Sequence, residues 1–343
     1  MSADATPTLE DVARVAGVSR ATVSRVINQT RNVDPAIQEA VRRAVAATGY
    51  VPNRAARSLV TRRSDAIGVV VAGAGPSDNV DASQVLTDPF FGRILTGIIG
   101  SLRLRGIYPS LMLAETEADE AAIAAHLKQG NADGALLIST HAVDRLPALV
   151  AESGRPAVRF ARPPQAAPVS YVDLANRDGG ALAADRLASL GRRRPAAITG
   201  PLAVPAAHER QSGYLDRWAR RGCAFVPSAE GNFTYDSGER AMKHLLTEHP
   251  DVDAVFAASD LMAQGAIHTL HDHGRRVPED VAVVGFDDSA PARLSRPPIT
   301  TVRQPLEDMG AEMVRLLLER IADPSMEPTS VIFEPELVVR ESA

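Results

Sequence analysis

Cysteine occurs once in this chain, at Cys223. An intramolecular disulfide and a cysteine-cluster metal site are therefore excluded, and a reducing compartment fits best. Lysine is almost as scarce, with Lys128 and Lys243 the only examples, so arginine carries the positive charge. Long hydrophobic runs are missing too: the most apolar stretch, Ala66 to Ala74, falls well short of the ~20 residues needed to cross a bilayer. The first residues, MSADATPTLE, lack the basic start and apolar run of a secretory signal. The expectation is a soluble, unexported, cytoplasmic protein with no membrane partner. Signatures of catalysis are absent as well: there is no Walker A loop, no G-x-G-x-x-G opening a helix, no G-x-S-x-G elbow and no H-E-x-x-H. His268, His271 and His273 cluster, but spacings of three and two do not put all three on one helical face, so solvated surface is the simpler reading and no metal or cofactor is expected.

What is present suffices for several cores. The 343 residues are 45% hydrophobic and 23% charged, room for two or three globular units. Charge is unevenly distributed. Residues 1–63 carry ten arginines against five carboxylates, a balance of +5, which leaves −10 for the remainder of a chain whose total is −5. A basic head on an acidic body is the asymmetry expected when one end alone touches nucleic acid.

After Arg62-Arg63-Ser64-Asp65 the pattern becomes apolar runs separated by amphipathic segments. AIGVVVA (66–72), PSLMLA (109–114), GALLIS (134–139) and AVRFA (157–161) read as buried parallel strands, with helical spacers at 91–105, 117–129 and 143–153. A second series follows the Pro-rich stretch 162–168. Its strands are SYVD (170–173), PAAIT (195–199), AVFAAS (254–259) and VAVVGF (281–286), with helices at 176–190, 206–221, 237–248 and 261–273. The expected architecture is an all-α head, residues 1–63, and an α/β body, 64–343, of two doubly wound parallel-sheet lobes. Lobe 1 is expected at about 66–162 plus 293–325, and lobe 2 at about 168–288 plus 328–343. Ligands in such sheets bind beyond the carboxyl ends of the strands, which points to the interface between lobes.

The sharpest local signal is TLEDVARVAGVSRATVSRVIN (8–28). Thr8 with Asp11 three residues on resembles a capping box, and Leu9, Val12, Ala13 and Ala16 give the following helix an apolar face. Gly17 permits a tight turn, and Ser19 can cap a second helix whose Val23, Val26 and Ile27 point to the core. Arg20, Ala21, Thr22, Ser24 and Arg25 are left outward, the pattern of a helix-turn-helix with a polar recognition face. A third helix starts at Asp34-Pro35, runs through Ile37, Val41 and Val45, and ends near Gly49. Taken alone, Arg20 and Arg25 would be ordinary solvated charges; the ordered turn, the caps and the basic head favour function.

T-L-x-D-V-A-x-x-A-G-V-S-x-x-T-V-S-R-V-I-N, then G-Y-V-P-N-R-A-A-R-S-L, then the two lobes, resemble the LacI/GalR family of bacterial transcriptional regulators over nearly the whole chain. The resemblance implies a periplasmic-binding-protein-like body and a head that reads DNA. Arg20 and Ala21 would meet base edges in the major groove, arginine bidentate to guanine and alanine against a thymine methyl. Thr8, Ser19, Thr22, Ser24, Arg25 and Asn28 complete the DNA-facing set, chiefly by fixing register on phosphates. Asn53 to Val60 is too short for a stable isolated helix. In the family it is a hinge helix that folds on DNA, with Leu59 wedging into the minor groove, Ala56 allowing close approach, and Asn53, Arg54 and Arg57 near the backbone. The alternative is a linker helix whose Leu59 packs on the body.

For the body, the strand ends carry groups suited to a sugar-like ligand, since a carboxylate can accept from adjacent hydroxyls and an arginine can donate to ring oxygens. Asp287 in VVGFDD leads, with Arg210 of E-R-x-x-G-Y as its partner across the cleft. By resemblance, Ser259 and Asp260 of A-S-D-L-M-A-Q-G-A and Phe233 of E-G-N-F-T-Y-D-S-G also line the site, and Phe90 and Phe91 of D-P-F-F close over it from the opposite lobe. Structural alternatives stand beside these: Asp260 as a helix cap, Asp287 holding a turn with Asp288, the phenylalanines as core. Two departures from the family pattern bear on the effector: F-A-R-P places Ala161-Arg162 where many relatives have an Asp, and Ser259 stands where Asn is frequent. Arg162 is then a candidate for an anionic group or for stabilising the hinge between lobes. The implied function is a sequence-specific repressor, a homodimer on a pseudo-palindromic operator, whose DNA affinity is set allosterically by a sugar or sugar derivative. An enzyme and a transport receptor are the competing classes; the missing motifs oppose the first, the basic head the second.

Overall fold

In the computed structural model the chain is described over residues 7–28, 33–51, 64–72, 87–139, 145–163 and 167–343. It forms two compact units, one comprising the described residues up to Ala66 together with Gly130–Asp133, the other the remainder.

The head contains α1 (Leu9–Ala16), α2 (Arg20–Ile27) and α3 (Pro35–Thr48). Their boundaries are set by local chemistry. The Asp11 amide donates to Thr8 Oγ1 at 3.3 Å while the Thr8 amide donates to the Asp11 carboxylate at 3.0 Å, a reciprocal capping box. Gly17, at φ 66°, ends α1 in the left-handed region that glycine adopts without steric cost. Ser19 Oγ accepts from the Thr22 amide at 3.1 Å and opens α2; Asp34 accepts from the Ala36 amide at 2.7 Å and opens α3, with Pro35 in its first turn. Val12, Ala13, Val23, Val41 and Ala44 form the buried centre, with Leu9, Ala16, Val26, Ile27, Ile37 and Val45 packed around it.

The body alternates strand and helix. Its first part holds β1 (Ala66–Ala72), α4 (Pro89–Arg103), β2 (Tyr108–Ala114), α5 (Glu117–Lys128), β3 (Gly134–Ser139), α6 (Leu146–Glu152), β4 (Ala157–Phe160) and β5 (Ser170–Leu174). The second holds α7 (Asn176–Ser189), β6 (Pro195–Thr199), α8 (Pro205–Ala219), β7 (Ser228–Glu230), α9 (Tyr235–Glu248), β8 (Ala254–Ala257), α10 (Asp260–Asp272), β9 (Ala282–Asp287), α11 (Ala290–Leu294) and β10 (Thr300–Arg303). The chain closes with α12 (Leu306–Ala322), β11 (Ser330–Phe333) and β12 (Glu336–Val338). Two sheets result, in the orders β11-β5-β4-β3-β1-β2 and β12-β10-β9-β8-β6-β7; β12 pairs antiparallel to β10, while the ladder from β11 through β5, β4 and β3 to β1 and the ladder from β10 through β9, β8 and β6 to β7 are parallel. Among the described residues, no helix is long and apolar enough to cross a membrane.

The sheets correct the expected lobe boundaries. SYVD does not open the second lobe: β5 pairs with β4 through Phe160↔Val172 and belongs to the first sheet. The segment 293–325 is divided, because β10 joins β9 in the second sheet while α12 packs on β3, β4 and β5 of the first. So is 328–343, with β11 beside β5 and β12 beside β10. The chain thus crosses between lobes after β5, after β10 and after β11. A Pro-rich break reads as a boundary in sequence, but ladder hydrogen bonds decide which sheet a strand joins.

Two helix contacts fix the ground on which the cleft stands. A Cβ at Gly180 on α7 would lie 1.9 Å from the Arg210 carbonyl oxygen on α8, and one at Gly213 would lie 1.8 Å from that of Arg177. The two backbones therefore touch where Arg210 is held.

Candidate functional site

On the head, Arg20, Ala21 and Arg25 of α2 are exposed as the sequence spacing predicts, whereas Thr22 and Ser24, expected outward as well, are half-buried, as is Asn28. Thr8 and Ser19 are occupied as caps, and Asn28 donates to Ser24 Oγ at 3.2 Å. Arg20 lies 3.0 Å from Glu10 with both side chains more than half exposed, an ion pair weak enough to be exchanged for another acceptor. Asn53, Arg54, Ala56, Arg57 and Leu59 lie outside the described residues.

Between the lobes is a cleft of about 390 Å³, within the range of small-molecule sites. Phe90, Phe91, Arg162, Arg210, Phe233, Ser259 and Asp287 all line it. The first lobe supplies its aromatic wall: Asp88 caps α4 by accepting from the Phe90 amide at 2.9 Å, and the Phe90 ring meets Phe91 and Phe160 edge-on at 5.0 and 5.3 Å. Arg162 reaches Tyr171 Oη with Nε at 3.3 Å, and its amide donates to Asp173 at 3.1 Å.

The second lobe supplies the charged floor. Arg210, 5% exposed, donates to Asn176 Oδ1 at 2.8 Å, to the Ala258 carbonyl at 2.8 Å and to Gln304 Oε1 at 3.3 Å, and lies over the Phe286 ring at 3.7 Å. Asp287 Oδ1 is 3.6 Å from its Nη1. The pair is therefore side by side, Arg210 in the second turn of α8 and Asp287 at the end of β9, a correction to the expected arrangement across the cleft; both residues belong to the second lobe because α8 packs on that sheet. Burial pushes the Asp287 carboxyl well above the ordinary range; Arg210 opposes the shift, while Asp260 and Asp88 add to it. Burial likewise raises Asp88 and Asp173. A site crowded with partly desolvated acids binds hydroxyl donors well, because each donor returns the hydration the carboxylate has lost.

Asp260 is the second correction. It does not line the cleft. Fully buried, it accepts from Thr301 Oγ1 at 2.6 Å and from the Ser289 amide and hydroxyl at 2.7 and 2.8 Å, tying α10 to α11 and β10, and burial lifts its pKa to about 6. Ser259 caps α10 and still faces the cleft. Asp288 also turns away: burial works against its ionisation, but hydrogen bonds from Arg340 and Arg303 hold its carboxyl below the ordinary range.

Ala161, Phe233 and Asp287 have positive φ, at 68°, 66° and 107°, and all three border the cleft. Backbone strain of this kind persists where surrounding structure over-determines it, and it gathers at functional sites. Phe233 is locked further by Gly200, where a Cβ would sit 2.2 Å from its ring.

Residues 8–53 match the family described as bacterial regulatory proteins, lacI family, and residues 184–343 match the periplasmic binding protein-like domain. The chain is 47% identical over 341 residues to the HTH-type transcriptional regulator CelR of Thermobifida fusca, covering 98% of each. It belongs to the lacI family. Its fold is similar to that of a CelR–cellobiose complex, with 44% identity and a TM-score of 0.76 over 98% of this chain and 100% of that one. It is also similar to the Lac repressor dimer bound to operator and the anti-inducer ONPF, with 27% identity and a TM-score of 0.83 over 98% and 99% of the two chains. The lacI-family head and binding-protein-like body make the chain a regulator and not an enzyme.

Several cleft residues escaped sequence reasoning: Asp88, Arg159, Asp173, Asn176, Tyr235 and Gln304. For Asp173 and Asn176 a signal existed, since they end a recognised strand and open the following helix. Arg159 is 1% exposed, with Nη1 donating to the Ala161 and Arg162 carbonyls at 2.9 and 2.8 Å; inside an apolar run it gave no such signal.

Proposed function

We propose that this regulator is a sequence-specific repressor, acting in the cytoplasm as a homodimer on a pseudo-palindromic operator, and that a neutral sugar of disaccharide size in the inter-lobe cleft sets its DNA affinity. The observation that carries the reading is the cleft itself. It pairs Arg210 with Asp287 on one wall and faces them with the Phe90 and Phe160 rings on the other, polar grip on one side and an apolar platform on the other. Cellobiose in the CelR complex supports the sugar class, and operator in the Lac repressor complex supports the DNA partner.

Phe90, Phe91, Phe233, Ser259, Arg162, Arg210 and Asp287 are assigned to the effector, joined by Asp88, Asp173 and Asn176. Arg162 reaches the cleft from an exposed position, which suits an outer hydroxyl or a bound anion. On the head, Arg20 and Ala21 read bases; Thr8, Ser19, Thr22, Ser24, Arg25 and Asn28 hold phosphates; Asn53, Arg54, Ala56, Arg57 and Leu59 form the hinge that enters the minor groove.

The test is a salt-controlled binding assay of the purified protein on its own upstream DNA, with and without cellobiose, other sugars and sugar phosphates. Specific binding lost in Leu59→Ala or Arg20→Ala and modulated by one sugar supports the reading. Weak binding to all DNA alike, vanishing at moderate salt, refutes it.

A further inference from the structure

The geometry points to Arg93 as a positioning residue that holds the two lobes in register through the backbone of the effector site. This inference rests on the cleft being the effector site.

Arg93 lies on α4, one turn beyond the Asp88–Phe91 wall, with its side chain 21% exposed. Its guanidinium makes a two-pronged pair with Glu307, Nε to Oε1 at 2.8 Å and Nη2 to Oε2 at 2.7 Å. The remaining donors cross to the second lobe: Nη1 to the Asp287 carbonyl and Nη2 to the Gln304 carbonyl at 3.1 Å. Gln304 and Glu307 bound the crossover from β10 to α12, so a single planar group grips both sides of one hinge. The planar fork of arginine suits three acceptors at once; the point charge of lysine does not.

Both carbonyls belong to residues whose side chains serve the cleft. Asp287 is held at φ 107°, its carbonyl on Arg93 and its carboxylate beside Arg210. Gln304 repeats the arrangement, its amide nitrogen 3.4 Å from Asp287 Oδ1 and its amide oxygen accepting from Arg210. A ligand that draws the Asp287 carboxylate therefore moves a peptide tied to the opposite lobe. α4 is packed backbone to backbone on α12 beside this grip, since a Cβ at Gly97 would meet the Glu307 carbonyl oxygen at 2.0 Å. The movement is therefore passed to the lobe setting through Arg93.

The experiment uses the full-length protein and its Arg93→Gln, Arg93→Lys and Glu307→Gln variants, read in two ways. Hydrogen exchange without ligand follows the amides of 287–289, 304 and 306–309; Arg93 binds the carbonyls of these segments, so its loss in Arg93→Gln should ease their local opening and speed exchange by about tenfold or more. Glu307→Gln should do so less, Arg93→Lys should recover part of the protection, and β6 and β8 should be unchanged. Cellobiose affinity is then compared with and without a duplex selected from a random pool by the wild-type protein. A coupling factor in the usual range of about 5–150 in the wild type should fall below about twofold in Arg93→Gln, while DNA affinity without sugar persists. Unchanged exchange at both segments overturns the proposal whatever the ligand does, and so does a coupling factor kept intact in Arg93→Gln. A wild type that binds DNA but ignores cellobiose and other sugars refutes the sugar reading instead, and the exchange data still decide the role of Arg93.

Discussion

Replacing Asp287 by asparagine should separate the affinity of the cleft from the stability of the lobe that builds it. The change is nearly isosteric, and asparagine is among the residues that tolerate positive φ, so the 107° backbone can be kept. Inside the protein the carboxylate is poorly supplied: Gln304 Nε2 stands at 3.4 Å and Arg210 Nη1 at 3.6 Å. Its raised pKa means that burial costs the ionised form more than Arg210 returns, so neutralising it does not unfold the lobe. Stability should change by no more than about 1 kcal/mol, or about 2 °C in melting temperature. The effect of pH has a definite sign. Between the unfolded value near 4 and the raised folded value, the folded protein holds a proton that the unfolded chain has released, so wild-type stability falls as pH rises through that window. The Asp287→Asn variant lacks that slope. Binding is another matter: sugar hydroxyls donate to a carboxylate at about 1.5–3 kcal/mol each and to an amide oxygen at about half that. Halving two such bonds costs about 1.5–3 kcal/mol in all, roughly 10- to 150-fold in Kd. Because the ligand favours the ionised form, wild-type affinity should also rise with pH. Calorimetric titration with cellobiose and thermal melts, both at pH 5 and pH 8, read these quantities. Affinity within threefold of wild type in Asp287→Asn, or a melting point lowered by more than about 6 °C, would refute the reasoning.

Asp260→Ala should do the reverse: loss of its bonds from Thr301 and Ser289, offset by relief of a buried charge, should cost about 2–4 kcal/mol in a melt and leave cellobiose affinity within about threefold. With its folded pKa lifted to about 6, the wild-type carboxyl adds stability as pH falls from about 6 toward 4, and the variant should lose that increment. Arg20→Ala should weaken binding to the selected duplex by about 1–3 kcal/mol in a titration at fixed salt, with the melting point unmoved because its pair with Glu10 is exposed. Gly180→Ala should destabilise by about 1–3 kcal/mol or more through overpacking against the Arg210 backbone, and cellobiose titration should show weakened binding as Arg210 is displaced.

The described part of the head was legible in the sequence nearly residue by residue, because a capping box, N-caps, a left-handed glycine and an apolar face of 3.6-residue period act within a few positions of one another. The alternation of strands and helices was legible for the same reason, as were the strand-end residues Asp287 and Ser259 and the helix-borne Arg210. What required the tertiary structure was every relation between distant positions. Nothing local told β5, β10 and β11 which sheet to join, or turned Asp260 inward onto Thr301, 41 residues away. The same holds for Arg210 standing beside Asp287 and for Arg93 gripping carbonyls 194 and 211 residues on. Short-range sterics and hydrogen bonds choose the elements; the site arises where two sheets, crossed three times by the chain, bring the ends of those elements together.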